Sequence, residues 1–218
     1  MLFRNRADAG RRLAAPLKNF AGQDVVVLAL PRGGVPVGFE VAQALGAPLD
    51  VFLVRKLRTP GQEELAMGAI ASGGVRVLNQ EVVQMLGISP QQIDAVAAKE
   101  ARQLRRREHQ YRGQRERVDV QGRTGILVDD GLATGSTMRA AVVARRLQKP
   151  EKVVVAVPVA ARSSCAELRD EADTIVCLYA PLEFEAVGQW YLDFSQTTDK
   201  EVRDLLARTA VLTVRPAA

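Results

Sequence analysis

Cysteine is nearly absent from this chain: Cys165 and Cys177 are the two thiols in 218 residues, and they do not form a C-x-x-C pair. Two cysteines cannot build a dense disulfide framework, so free thiols serving as small buried residues in a cytoplasmic protein are the expectation. Aromatic residues make up only 5% of the sequence. No apolar stretch approaches the roughly 20 residues needed to cross a bilayer. The opening MLFRNRADAGRRLAA carries charges throughout, unlike the apolar core of a signal peptide. The one histidine, His109, lies among charged residues and reads as a surface side chain. Two nucleotide fingerprints are also missing. The lysine of G-x-x-x-x-G-K-[ST] has no counterpart, and G-x-G-x-x-G does not occur.

What remains is ordinary soluble composition, 47% hydrophobic and 25% charged, enough for a sizeable core. The length suits one α/β domain with an appendage. Three times, a continuous apolar run passes through a small-residue loop into a helix-like pattern. The runs are Val25–Leu30, Gly125–Val128 and Val153–Val159; the loops are Pro31–Gly34, Asp129–Ser136 and Ala160–Ser164. Runs without polar alternation belong to strands covered on both faces. Alternation with helices predicts a doubly wound, mainly parallel sheet flanked by helices, its loops converging along one edge. Leu49–Val54 and Thr174–Leu178 add further strands, and Leu65–Asn79 reads as a hairpin turning at Ser72-Gly73-Gly74.

Residues 81–117 break the repeat and read as a helical, basic insertion in which Ser89-Pro90 starts a helix near Gln91. Between Lys99 and Arg117 lie eight basic residues and three glutamates, an excess equal to the chain's net charge of +5. Such a stripe suits nucleic acid, a polyanionic metabolite or simply a solvated helix face.

The most informative stretch is Val128-Asp129-Asp130-Gly131-Leu132-Ala133-Thr134-Gly135-Ser136-Thr137. Two adjacent carboxylates repel each other, so their placement at a strand end needs a reason. The small and hydroxylated residues that follow open a helix, where backbone N–H groups and the helix dipole favour an anion. Carboxylates accept hydrogen bonds only, so their partners are hydroxyl donors or a hydrated divalent cation. A sugar phosphate meets both demands.

This segment resembles the phosphoribosyl pyrophosphate signature of the type I phosphoribosyltransferases, and the likeness extends over roughly Phe3 to Leu206. Leu30-Pro31-Arg32-Gly33-Gly34-Val35-Pro36 is similar to the family's pyrophosphate loop, and Arg55 with Lys56 to its basic pair. The resemblance implies a single domain over 1–218, with a C-terminal hood and helix over 179–218. It implies that Arg32, Gly33, Gly34, Arg55 and Lys56 hold pyrophosphate. Asp129 and Asp130 would orient the ribose and act in catalysis, and Gly131, Leu132, Ala133, Thr134, Gly135, Ser136 and Thr137 would seat the 5′-phosphate. Magnesium would bind through ligand and water near Asp129 and Asp130, with no direct protein ligand set, and a homodimer is implied because members commonly pair.

The implied reaction transfers phosphoribosyl from phosphoribosyl pyrophosphate to a nitrogenous base. The acid that hypoxanthine–guanine enzymes carry near the purine is replaced here by Ala133, and the signature is nearer that of adenine enzymes. Phe184, Trp190, Tyr191 and Phe194 form an aromatic cluster that packs a core or stacks on a base. The alternative is a phosphoribosyl pyrophosphate-sensing regulator that binds nucleic acid through the basic stripe, although no helix-turn-helix or aromatic RNA platform is evident. A hydrolase using the same phosphate cradle is a third reading.

Overall fold

The computed structural model describes residues 2–212. In chain order the elements are α1 (Arg6–Ala14), β1 (Val25–Ala29), α2 (Gly34–Leu45), β2 (Leu49–Val51), β3 (Val54–Thr59), β4 (Gln62–Ala71), β5 (Val75–Leu78), α3 (Gln80–Met85), α4 (Pro90–Arg112), β6 (Thr124–Val128), α5 (Ser136–Arg146), β7 (Val153–Val159), α6 (Arg162–Leu168), β8 (Thr174–Tyr179) and α7 (Asp199–Leu212). Five strands form a parallel sheet in the order β2-β1-β6-β7-β8. Strands β1, β6 and β7 are buried at every position, which the unbroken valine-rich runs require. One face of β1 (Val25, Val27, Ala29) packs into a core shared with α2 and α7; the other (Val26, Leu28) packs into a core shared with α5 and α6. The doubly wound, mainly parallel sheet expected from the sequence is therefore what forms.

The predicted strand Leu49–Val54 is broken. β2 ends at Val51, and β3 begins at Val54 in a second, antiparallel sheet of order β3-β4-β5. The hairpin at Ser72-Gly73-Gly74 joins β4 to β5, with Gly73 and Gly74 at φ 92° and 76°, values that favour glycine. A hairpin between β3 and β4, turning through Pro60 and Gly61, was not anticipated. Its first strand, Val54-Arg55-Lys56-Leu57-Arg58-Thr59, is too charged to read as a strand, although Pro60-Gly61 is a strong turn signal.

The helical insertion resolves into α3 and α4. Ser89 caps α4 in a reciprocal box with Gln92, and Pro90 occupies its first turn. The far end of α4 is fastened to the sheet by Arg112, whose Nε donates to both Asp50 oxygens at 2.8 and 3.1 Å. Both side chains are buried, so the pair fixes where the helix ends. At the other end of the chain, residues 213–218 of the expected C-terminal region lie outside the described residues.

Candidate functional site

Register brings the two informative loops together. Ala29 pairs with Val128 at the carboxyl ends of β1 and β6, and the Leu30 N–H donates to the Val128 carbonyl at 2.8 Å. These neighbouring strands lead to helices on opposite faces, so the loops diverge around a crevice, the usual ligand position in such sheets. The first loop has a cis peptide between Pro31 and Arg32. A Cβ on Gly34 would lie 2.6 Å from the Val128 oxygen and 2.9 Å from the Asp129 Cα; one on Gly33 would lie 2.0 Å from the Asp130 Oδ2. Glycine at both positions is what lets this loop approach the acid pair. One expectation fails in detail: the Gly34 N–H donates to the Leu30 carbonyl at 3.0 Å, so it is not available to an anion.

The second loop is anchored, not free. Leu132 is buried, and its N–H and carbonyl bond Val159 and Ala161, so it offers a ligand no polar group. The Ser164 hydroxyl donates to the Ala133 carbonyl at 2.5 Å. Beyond this tether the chain turns outward. Gly135 sits in the left-handed region at φ 66°, and α5 begins without a side-chain cap. The N–H groups of Thr134, Gly135, Ser136 and Thr137 have no acceptor among the described residues, and the Thr134 and Ser136 hydroxyls lie 3.3 Å apart. A helix start with uncapped donors and exposed hydroxyls is an anion cradle.

Asp129 and Asp130 stand between the loops. The Asp129 Oδ1 accepts the Asp130 N–H at 2.8 Å. Part of Asp129 still reaches solvent, yet the glycine loop and its acidic neighbour enclose the carboxyl. Burial, and then the like charge of Asp130, push it well above the usual carboxylate range. Asp130 has a partner the sequence did not reveal: the Arg6 Nε donates to its Oδ2 at 2.7 Å. Arg6 also donates to the Ser195 carbonyl at 2.7 Å, and its guanidinium lies 4.0 Å from the Phe194 ring centroid. Its placement follows from Gly10 one turn on, where a Cβ would be 2.6 Å from the Val37 carbonyl oxygen. That close crossing of α1 and α2 sets Arg6 over the acids.

A cationic edge completes the crevice. A cleft of about 190 Å³ is lined by Arg32, Arg55, Arg107, Tyr111 and Thr137 together with apolar residues. Arg55 and Lys56 diverge in the fold. As neighbours on β3 they point to opposite faces; Arg55 turns to α4 and bonds Glu100 at 2.5 Å, while Lys56 is exposed and does not line the cleft. Arg107 belongs to the basic stripe between Lys99 and Arg117, and Asp199, which stands beside it, carries no sequence signal.

The aromatic cluster is chiefly packing. Tyr191 lies 5.4 Å from Phe3 and 5.1 Å from Phe194, and Trp190 stacks edge-on against Tyr179 at 4.9 Å. The Tyr191 hydroxyl donates to the Asp130 carbonyl at 2.6 Å, and burial pushes this phenol up. The Gly131 Cα abuts Val187, where an added Cβ would be 2.5 Å away. The segment after β8 thus rests directly on Asp130 and Gly131.

A family model described as phosphoribosyl transferase domain matches residues 2–194. A curated Mycobacterium tuberculosis (strain CDC 1551 / Oshkosh) protein, whose name assigns it provisionally to the phosphoribosyl transferases, is 50% identical over 207 residues, or 95% of this chain. The chain spans about half the length of that relative (47%). Among solved structures, TT1426 from Thermus thermophilus is 43% identical with a TM-score of 0.83, over 95% of this chain and 99% of that one. A hypothetical protein from Neisseria gonorrhoeae, crystallised with ppGpp, shares the fold at 11% identity and a TM-score of 0.52, over 95% of this chain and 96% of that one. This chain belongs to the phosphoribosyl transferase domain family.

Proposed function

We propose that this protein transfers the 5-phosphoribosyl group from phosphoribosyl pyrophosphate to a nitrogenous, nucleobase-like acceptor and releases pyrophosphate. The observation that carries this reading is the convergence of three groups at the carboxyl ends of β1 and β6: anion cradle, acid pair and glycine–arginine loop. The 5′-phosphate takes the uncapped start of α5, with donors from Thr134–Thr137 and with Gly131, Leu132 and Ala133 shaping the turn. Vicinal ribose hydroxyls donate to Asp129 and Asp130. Pyrophosphate faces Arg32, the N–H of Gly33 and Arg55. Those groups stabilise negative charge as it grows on the leaving group. The acids ease positive charge developing on the ribose ring. An acceptor nitrogen that is already nucleophilic needs no strong general base, consistent with the bare Ala133.

Magnesium fits the donor set, which is all hard oxygen: two carboxylates, one of them raised well above the usual carboxylate range by burial and by its acidic neighbour. Among the described residues no three His, Cys, Asp or Glu side chains converge. A cation beside Asp129 and Asp130 would therefore take most of its ligands from the diphosphate, the ribose and water, and would supply charge neutralisation there. The region 179–212 acts as the hood over the acceptor, since it rests on Asp130 and Gly131. Not all of the basic stripe is an open surface for nucleic acid: Arg112 is held in an ion pair with Asp50, and Arg107 turns toward the cleft beside Arg55.

The test is pyrophosphate release from phosphoribosyl pyrophosphate with a panel of nucleobases. Base-dependent release is expected, and the double variant Asp129→Asn, Asp130→Asn should lose about a thousand-fold or more in rate, the scale of groups that act on developing charge. Undiminished turnover in that variant removes both acids from the mechanism, and release without any base points instead to hydrolysis.

A further inference from the structure

Asp199, the first residue of α7, lies among groups from two other elements. Its Oδ1 accepts from the Tyr111 hydroxyl at 3.1 Å and its Oδ2 from the Gln110 amide at 2.9 Å. The Arg32 Nη1 is 3.7 Å from Oδ1, and the Arg107 Nη1 is 3.5 Å from Oδ2. The two arginines therefore share one carboxylate at loose distances, while its closer bonds go to neutral donors. Arg32, Arg107 and Asp199 keep 33%, 45% and 26% of their side-chain surface open, so a ligand can reach all three. Arg32, Arg107 and Tyr111 line the same cleft, and Arg55 stands with them; Glu100, the other acid nearby, is bonded to Arg55.

We propose that Arg107 is a third pyrophosphate-binding cation, carried to the site by α4, and that Asp199 is an internal counter-anion that a bound pyrophosphate replaces. This rests on the reading of the cleft given above. A carboxylate bridging two guanidinium groups resembles one phosphate group in charge and acceptor geometry. In the unliganded site it limits repulsion between Arg32 and Arg107; once pyrophosphate arrives, its charge opposes the ligand. Tyr111 and Gln110 keep hold of Asp199 during the exchange, so α7 need not leave. Fastening α4 through the buried Arg112–Asp50 pair makes this placement of Arg107 reproducible.

The test is calorimetric titration of the full chain with magnesium pyrophosphate and, separately, with ribose 5-phosphate, which occupies the cradle and acid pair alone. Arg107→Gln should weaken pyrophosphate binding about ten-fold or more, the scale of one charge-assisted bond, and leave ribose 5-phosphate within about two-fold. Arg107→Lys should recover part of the loss. Asp199→Asn keeps the acceptor for Tyr111 but removes the charge, and should tighten pyrophosphate about three- to ten-fold. Equal weakening of both ligands by Arg107→Gln, or no weakening of pyrophosphate, overturns the assignment of Arg107. Weaker binding in Asp199→Asn overturns the exchange and makes Asp199 a positioning group. If the unaltered protein binds neither ligand, it is the reading of the whole crevice that has failed.

Discussion

Replacing Arg6 by methionine keeps most of the side-chain stem and deletes the guanidinium. Three contacts go with it: the 2.7 Å ion pair with Asp130, the bond to the Ser195 carbonyl and the stacking over Phe194. Breaking a fully buried pair costs about 3–5 kcal/mol. The two side chains here are 12% and 14% exposed, so water can partly solvate the orphaned carboxylate and about 2 kcal/mol is the appropriate share. Loss of the cation–π contact and of a hydrogen bond at an exposed carbonyl adds about 1 kcal/mol. The total of about 3 kcal/mol corresponds to a fall in Tm of about 6–12 °C for a chain of this size.

The pH dependence sharpens the test. In the fold the Asp129 carboxyl is raised by burial and by Asp130, with the Arg6 charge partly opposing the rise. A carboxyl raised in the folded state favours folding while protonated, and that contribution is lost as pH climbs through the folded value. Removing Arg6 raises Asp129 further, so the penalty should be smallest in acid and grow as pH climbs through the folded Asp129 value. Urea unfolding at several pH values, with unchanged m, measures it. A penalty below about 1 kcal/mol, or one that does not grow as pH climbs through the raised Asp129 value, refutes the view that Arg6 supports the acid pair.

Two further outcomes follow from the same geometry. Gly34→Ala gains about 0.5–1 kcal/mol of helix propensity but drives a Cβ into the backbone at Val128 and Asp129, at a cost of about 1–3 kcal/mol. The net loss of stability should be modest and the loss of ribose 5-phosphate affinity large, both read from one calorimetric series; intact affinity would show that the loops need not touch. Binding of ribose 5-phosphate with magnesium favours the ionised Asp129, so it should release protons, and affinity should rise with pH through the raised Asp129 value. Titrations in buffers of different ionisation heat detect that release, which should vanish in Asp129→Asn; persistence there assigns the proton elsewhere.

Most of the sheet was legible because doubly covered strands leave unbroken valine-rich runs, and the phosphate loop was legible because its chemistry is local to ten residues. What the sequence hid is whatever depends on distance along the chain. Arg6 and Asp130 are 124 positions apart, Arg112 and Asp50 62 apart. A charged residue that meets a partner in the fold looks no different in a row of letters from one that meets water. The β3–β4 hairpin was missed for a related reason: α4 covers only part of β3, so Arg55, Lys56 and Arg58 dilute the apolar alternation. Lys56 lies on the face opposite Arg55, since a pair adjacent in sequence is split by the pleat.

Charge explains why such distant residues had to meet. Two adjacent carboxylates at a strand end are unstable neighbours unless something positive or donating stands on each side. Arg6 supplies it for Asp130 through a direct ion pair, whereas Asp129 has the Asp130 N–H and the more distant charge of Arg6. On the far side of the crevice the imbalance is reversed: Arg32 and Arg107 share the single carboxylate of Asp199. The unliganded site is thus left short of donors at the acids and short of acceptors at the arginines. A ligand with hydroxyl donors at one end and a polyanion at the other corrects both deficits at once, whereas a simple phosphate corrects only one. On the proposed reading, that asymmetry is what a phosphorylated sugar carrying a pyrophosphate would meet, and it is set by residues drawn from α1, α4 and α7 together with the loops after β1 and β6.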